Sequence, residues 1–201
     1  MITVAVGVWM IVLDSTVVNV VFPALRETFH ASVAQAQWII SVYVLALGIA
    51  TPLAGFLADR FGMRSVYRIG LGIFVLGSLF CGLAPNLWTL TVARAIRGVG
   101  GGITQPLSVA MLFMAFPPRE QGHAFGMFGI VMVGAPALGP VLGGLLVDQN
   151  LWRWIFFINI PIGLAGIVLA TMWLRPHASK RAGAPNPLGV IPLLLFRLGV
   201  F

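Results

Sequence analysis

Apolar residues fall in long blocks along this chain, and the polar residues gather between the blocks. Six stretches are long and apolar enough to read as bilayer-spanning helices: 3–22, 38–58, 69–84, 90–113, 124–147 and 154–174. A helix rises about 1.5 Å per residue, so about 20 residues cross the hydrocarbon core. The pattern predicts an all-α membrane protein, a six-transmembrane-helix bundle occupying residues 1–174. Beyond it, residues 175–187 are polar and proline-rich and predict a cytoplasmic linker. Residues 188–201 are apolar again, but they hold Pro192 and Arg197 and are too short to span, so they read as the start of a truncated seventh helix. No charged leading region precedes the first block, which therefore reads as a span with a clipped start rather than as a secretory signal.

Composition supports the membrane reading. Of the 201 residues, 59% are hydrophobic and 8% are charged, against about 25% charged in soluble domains. The net charge of +7 does not point to nucleic acid, because the basic residues lie between apolar runs and form no patch with interleaved aromatics. Their distribution orients the chain instead. Arg60, Arg64, Arg68, Arg119, Arg175, Lys180 and Arg181 follow the second, fourth and sixth spans, whereas only Arg26 and Arg153 lie in the alternate loops. The positive-inside rule places the first set, and with it the N-terminus, in the cytoplasm of a cell whose inner membrane holds the protein. Cys81 is the single cysteine, lies in an apolar run and reads as a packing residue. Enzyme chemistry finds no support. Metal-ligand spacing is absent, and His30, His123 and His177 fall in predicted loops with no nucleophile motif nearby. No catalytic residue, metal or cofactor is expected.

Three charges lie inside the apolar blocks. Arg94 and Arg97 interrupt the otherwise uncharged run 87–114. A cation at that depth costs roughly 2.5–3.5 kcal/mol even on the lenient insertion scale, so it should face a bundle interior or a hydrated cavity and have a partner. Being three apart, the two arginines share a helix face, which continues through Gly98, Gly101, Gln105 and Ser108. Snorkelling of either arginine to an interface is the competing placement. Asp14 is the one carboxylate inside a span. Counted from the span ends, Asp14 and Arg97 lie at similar depth, with Arg94 about one turn further out. Either arginine is thus a candidate counter-charge for Asp14, which otherwise would hydrogen-bond a neighbouring helix.

Small residues mark two further stretches. Gly55 near the end of the second span should admit close helix approach, and Asp59, Arg60, Gly62 and Arg64 should form a tight charged turn. In the fifth span, Gly139 and Gly143 have the small-xxx-small spacing, while Pro136 and Pro140 invite a kink, which predicts a bent helix inside the bundle. The segment from Pro52 to Asp59 recurs with one inserted residue as Pro140 to Asp148, three spans later and so in opposite orientation. Inverted repeats of this kind, 3+3, are the pattern of secondary transporters. Trp152 and Trp154 fit an interfacial aromatic belt.

Five stretches in register resemble the major facilitator superfamily, and within it the fourteen-span drug:proton antiporter branch. Leu13-Asp14-Ser-Thr16-Val-Val-Asn19-Val-Val-Phe-Pro23 resembles the first-helix motif of that branch, and Gly55 to Arg64 resembles the loop motif G-x-L-A-D-R-x-G-R-K. Arg94 to Gly102 resembles the fourth-helix motif R-x-x-Q-G-x-G, and Gly139-Pro140-Val-Leu-Gly143-Gly144 the antiporter motif of the fifth helix. The run from Trp152 to Gly163 resembles the approach to the sixth helix. Two positions depart: Met63 stands where the loop motif carries Arg, and Arg97 where the fourth-helix motif carries Gln.

The resemblance implies the N-terminal half of a proton-coupled exporter of amphipathic small molecules working by alternating access, with Asp14, Arg94 and Arg97 as proton-coupling residues. It implies that the loop motif latches one conformation against a C-terminal bundle not contained in this chain. The expected partners are the lipid bilayer, protons, a small-molecule substrate and that missing bundle. The alternative is a non-transporting membrane fragment, or an assembly partner for a separate C-terminal half.

Overall fold

A computed structural model describes residues 2–117 and 119–173. The predicted linker 175–187 and the apolar segment 188–201 lie outside the described residues. Seven helices follow in order: α1 (Ile2–Thr28), α2 (Val33–Phe61), α3 (Met63–Gly82), α4 (Leu87–Ala115), α5 (Gln121–Asp148), α6 (Trp154–Phe157) and α7 (Asn159–Trp173). Among the described residues, six helical segments are long and apolar enough to cross a membrane, α6 and α7 together supplying the sixth. The helices overrun the predicted spans at most ends, because hydropathy marks only the hydrocarbon-deep part of a helix whose polar ends lie at the interface.

Local chemistry sets the turns. Ser32 and Gln35 form a reciprocal capping box that starts α2, and the Asn86 side chain accepts from the Thr89 N–H to start α4. The predicted charged turn between α2 and α3 shrinks to one residue. Gly62 alone separates the two helices, at φ 84°, a conformation open to glycine and strained for a side chain. Asp59 and Arg60 therefore belong to the last turn of α2, and Arg64 to the first turn of α3. The boundary between α6 and α7 falls at Ile158, where Pro161 has no N–H to offer the Phe157 carbonyl.

Packing relates the two halves of the bundle. α2 packs along α4, and α5 packs along α1. Each set of three spans thus lends its second helix to the first helix of the other. This exchange, with the odd number of crossings between the sets, is the arrangement of two inverted three-helix repeats. The stretches ending at Asp59 and Asp148 occupy the last turns of the equivalent helices α2 and α5.

Several expectations are corrected. α5 is not enclosed by the bundle: it rests on α1 and leaves Ile130 and Val133 each 73% exposed. Its apolar residues run all round the helix, so the sequence carried no signal for which face is covered. Gly55 has open space where a Cβ would point, so it admits no close helix neighbour among the described residues. Trp152 is a core residue, 3% exposed, edge-on to both Phe29 and Phe156, whereas Trp154 is 54% exposed as an interfacial residue would be. His123 lies in the first turn of α5 rather than in a loop.

The core has two apolar clusters. One gathers Met10, Ile11, Tyr43, Phe74 and Ile103; the other gathers Leu13, Ile39, Cys81, Ala93 and Phe156. On α1 the seam where one cluster changes to the other falls between Ile11 and Leu13, beside Asp14, and on α4 it falls between Ala93 and Ile103. The three intramembrane charges occupy that seam.

Candidate functional site: a buried carboxylate between two arginines

The fourth helix can approach its neighbours because it lacks side chains where they cross. A Cβ on Gly98 would stand 2.5 Å from the Tyr43 carbonyl oxygen, and one on Gly102 would stand 2.5 Å from that of Leu47. Gly98 and Gly102 are four apart, so α2 lies against one small-xxx-small stripe of α4. On the adjoining side, a Cβ on Gly100 would stand 2.5 Å from the Phe74 amide, and Gly77 of α3 leaves similar room for the Arg97 backbone. With α2 and α3 drawn in this far, the long side chains of Arg94 and Arg97 have one direction left, toward α1.

Asp14 meets them there. Its Oδ2 lies 2.6 Å from Arg94 Nη1 and its Oδ1 lies 2.8 Å from Arg97 Nη1. Asp14 and Arg97 are 0% exposed and Arg94 is 1% exposed. The two predicted candidates thus share one carboxylate, and neither arginine snorkels. Side chains reach back toward a helix N-terminus, which brings residues one turn apart to one partner.

The two contacts differ in kind. Arg94 donates a true hydrogen bond to Asp14, and its Nε donates to the Ile39 carbonyl at 3.2 Å. Its guanidinium carbon sits 4.0 Å from the Tyr43 ring centroid. Arg97 is within ion-pair distance, but its approach to Oδ1 falls outside hydrogen-bonding directions, and Nε, Nη1 and Nη2 have no hydrogen-bond acceptor. Aromatic faces stand in: its guanidinium carbon is 4.4 Å from the Phe74 centroid and 5.4 Å from that of Phe156. One carboxylate against two guanidinium groups leaves the cluster with one positive charge in excess.

Sequence reading missed Tyr43, Phe74 and Phe156. Aromatics on apolar helices are common, and nothing in their spacing reveals a cation above the ring. Cys81, read as packing, is buried and close enough to Arg97 to feel its charge. Asn159 is also buried; its Nδ2 donates to the Ile155 carbonyl at 2.8 Å, and its Oδ1 has no partner.

The remaining motif residues do not join this cluster. Gly139 meets Thr16 and Gly143 meets Val20, so the antiporter stretch lies along α1 starting half a turn past Asp14. Gly144 faces open space, and Pro140 lies inside the unbroken α5 helix. At the α2–α3 end, Arg64 donates from Nη2 to the Thr171 carbonyl and ties α3 to the last turns of α7. Arg60 lies 5.7 Å from the Phe61 ring centroid. Among the described residues no group of three His, Cys, Asp or Glu side chains could hold a metal.

Fold and site together define a multi-pass helical membrane bundle with an ion cluster buried at its centre. The profile of the Major Facilitator Superfamily matches residues 4–200, and the chain belongs to that family. It is similar to the tetracenomycin C resistance and export protein of Streptomyces glaucescens, 37% identical over 201 residues, covering 100% of this chain and 37% of that protein. It is also similar to the multidrug export protein EmrB of Haemophilus influenzae, 36% identical over 196 residues, covering 98% of this chain and 38% of that protein. The chain spans about a third of the length of such relatives. Among solved structures, the partially occluded inward-open xylose transporter XylE from E. coli matches with a TM-score of 0.77 at 14% identity, over 98% of this chain and 54% of that one. That likeness shows the fold.

Proposed function

We propose that this chain is the N-terminal bundle of a proton-coupled secondary transporter that exports amphipathic small molecules by alternating access. The observation that carries the reading is a dry Asp14 carboxylate held between two arginines. A carboxylate so placed is stable as an anion only while its cations stay close. A movement that separates or hydrates the cluster changes the balance between carboxylate and acid, so proton uptake and conformation become one equilibrium. Asp14 is the proton carrier in this reading, and Arg94 and Arg97 set when it loads. Relatives named as export proteins support the direction of transport. A second bundle packs on the open faces of α2 and α5, with the stretch from Gly55 to Arg64 latching it in one state. The arginines at the α2–α3 end support a cytoplasmic location for that end and for the N-terminus, with the protein in the inner membrane.

The test is dye efflux from proteoliposomes under an imposed pH gradient, run on the chain alone and on the chain joined to a second six-helix bundle. The two-bundle form is expected to export the dye only with the gradient. Asp14→Asn should abolish that dependence, and proton-driven efflux by Asp14→Asn at the wild-type rate overturns the assignment.

A further inference from the structure

The buried cluster holds two guanidinium groups against one carboxylate. Arg94 is fully engaged by Asp14, the Ile39 carbonyl and the Tyr43 ring. Arg97 is 0% exposed, and none of its three nitrogens has a hydrogen-bond acceptor. Among the described residues no second carboxylate forms an ion pair with either guanidinium group. Burying an uncompensated cation is costly, and proton uptake by Asp14 would double the excess. Arginine cannot relieve it by deprotonating.

We propose that Arg97, together with Arg94, forms a binding site for a monovalent anionic group, which takes the place of the Asp14 carboxylate once Asp14 is neutral. In the present conformation Asp14 fills the site. When Asp14 is protonated and its side chain released, the guanidinium pair accepts an outside anion in its stead. Two sources share this chemistry: a free inorganic anion such as chloride, and the carboxylate or similar head of the transported amphiphile. The idea rests on the reading above only for what neutralises Asp14. The Asp14→Asn variant supplies a neutral side chain without it, so the site is tested without any transport assay.

The titratable side chains around Asp14 are Tyr43 from α2, Cys81 from α3 and the two arginines of α4. α6 and α7 contain none, and α5 contains only His123 and Asp148, at its two ends. Among the described residues Asp14 is the carboxylate that faces both arginines, so its substitution isolates its part in anion binding.

The experiment measures thermal unfolding of the purified chain in detergent, with sodium chloride exchanged for sodium gluconate at constant ionic strength. Wild type, Asp14→Asn, Arg97→Gln and the double variant are compared. Chloride is expected to stabilise Asp14→Asn with an apparent affinity tighter than wild type at pH 7.5 by about tenfold or more, about 1.4 kcal/mol. It should give no such gain in either protein carrying Arg97→Gln. Octanoate in place of chloride, with octanol as the neutral control, separates the two sources: stabilisation by octanoate alone assigns the site to an amphiphile's head, and by both to any small anion. Asp14→Ser, a second neutral variant, takes its place if Asp14→Asn does not fold, with Asp14→Ser joined to Arg97→Gln as its control, and the same outcomes are expected. Equal chloride dependence with and without Arg97, or none for either anion, overturns the proposal and leaves the guanidinium satisfied by water.

Discussion

The Arg94 guanidinium lies over the ring of Tyr43, its carbon 4.0 Å from the ring centroid, so the cation that binds Asp14 is held from a third helix. The Tyr43 hydroxyl has no hydrogen-bond partner and the residue is buried. The ring, rather than the hydroxyl, is therefore what the cluster uses. Tyr43→Phe is expected to leave stability within about 0.5 kcal/mol of wild type, or to raise it, because an orphaned buried hydroxyl is removed. Tyr43→Ala should cost about 3–5 kcal/mol through the cavity it opens and the lost support for Arg94. Detergent-solubilised thermal unfolding of the two variants checks this; equal losses would show that the hydroxyl matters after all.

Glycines in this chain should divide into two classes by what lies opposite them. Gly98→Ala and Gly100→Ala place a methyl group 2.5 Å from backbone atoms of α2 and α3 respectively, and backbone cannot step aside as a side-chain tip can. Each should cost about 1–3 kcal/mol. Gly55→Ala and Gly144→Ala meet nothing within 4 Å in this chain and should be neutral to within about 0.5 kcal/mol. Unfolding temperatures of the four variants decide, and a destabilised Gly144→Ala would mean that α5 has a neighbour on that face.

The two tryptophans that bracket Arg153 should respond unequally to truncation. Trp152 is buried against Phe29 and Phe156, with the Arg153 guanidinium carbon 4.6 Å from its ring and Arg153 Nη2 donating to the Ala84 carbonyl. Trp152→Ala is expected to cost about 3–5 kcal/mol. Trp154→Ala, at an exposed position, should cost about 0.5 kcal/mol or less in detergent. Fluorescence emission adds a second readout: loss of Trp152 removes a tryptophan shielded from a soluble quencher, whereas loss of Trp154 removes an exposed one.

Much of this molecule was legible before any coordinates, because the bilayer is a severe solvent. Backbone polar groups must be satisfied within each span, so apolar blocks of sufficient length read directly as helices. The same severity singled out Asp14, Arg94 and Arg97: charges that deep must find one another. Legibility failed where the residue type carries no such demand. Trp152 and Trp154 are identical in kind and two residues apart, yet one is core and the other surface. The choice follows from where the α5–α6 turn puts each ring.

From the chain alone came the number of spans, the inverted internal repeat and the three residues that had to meet. Tertiary packing decided how they meet. Whether Arg94 or Arg97 faced Asp14 was open, since helix depth is known from sequence only to within a turn. The close approach of α2 and α3 to the glycines of α4 resolved it by leaving both side chains the same exit, so one carboxylate serves two cations. The aromatic rings that steady the arginines likewise belong to the assembled bundle, because a ring's partner lies across a helix interface that no spacing along one chain encodes.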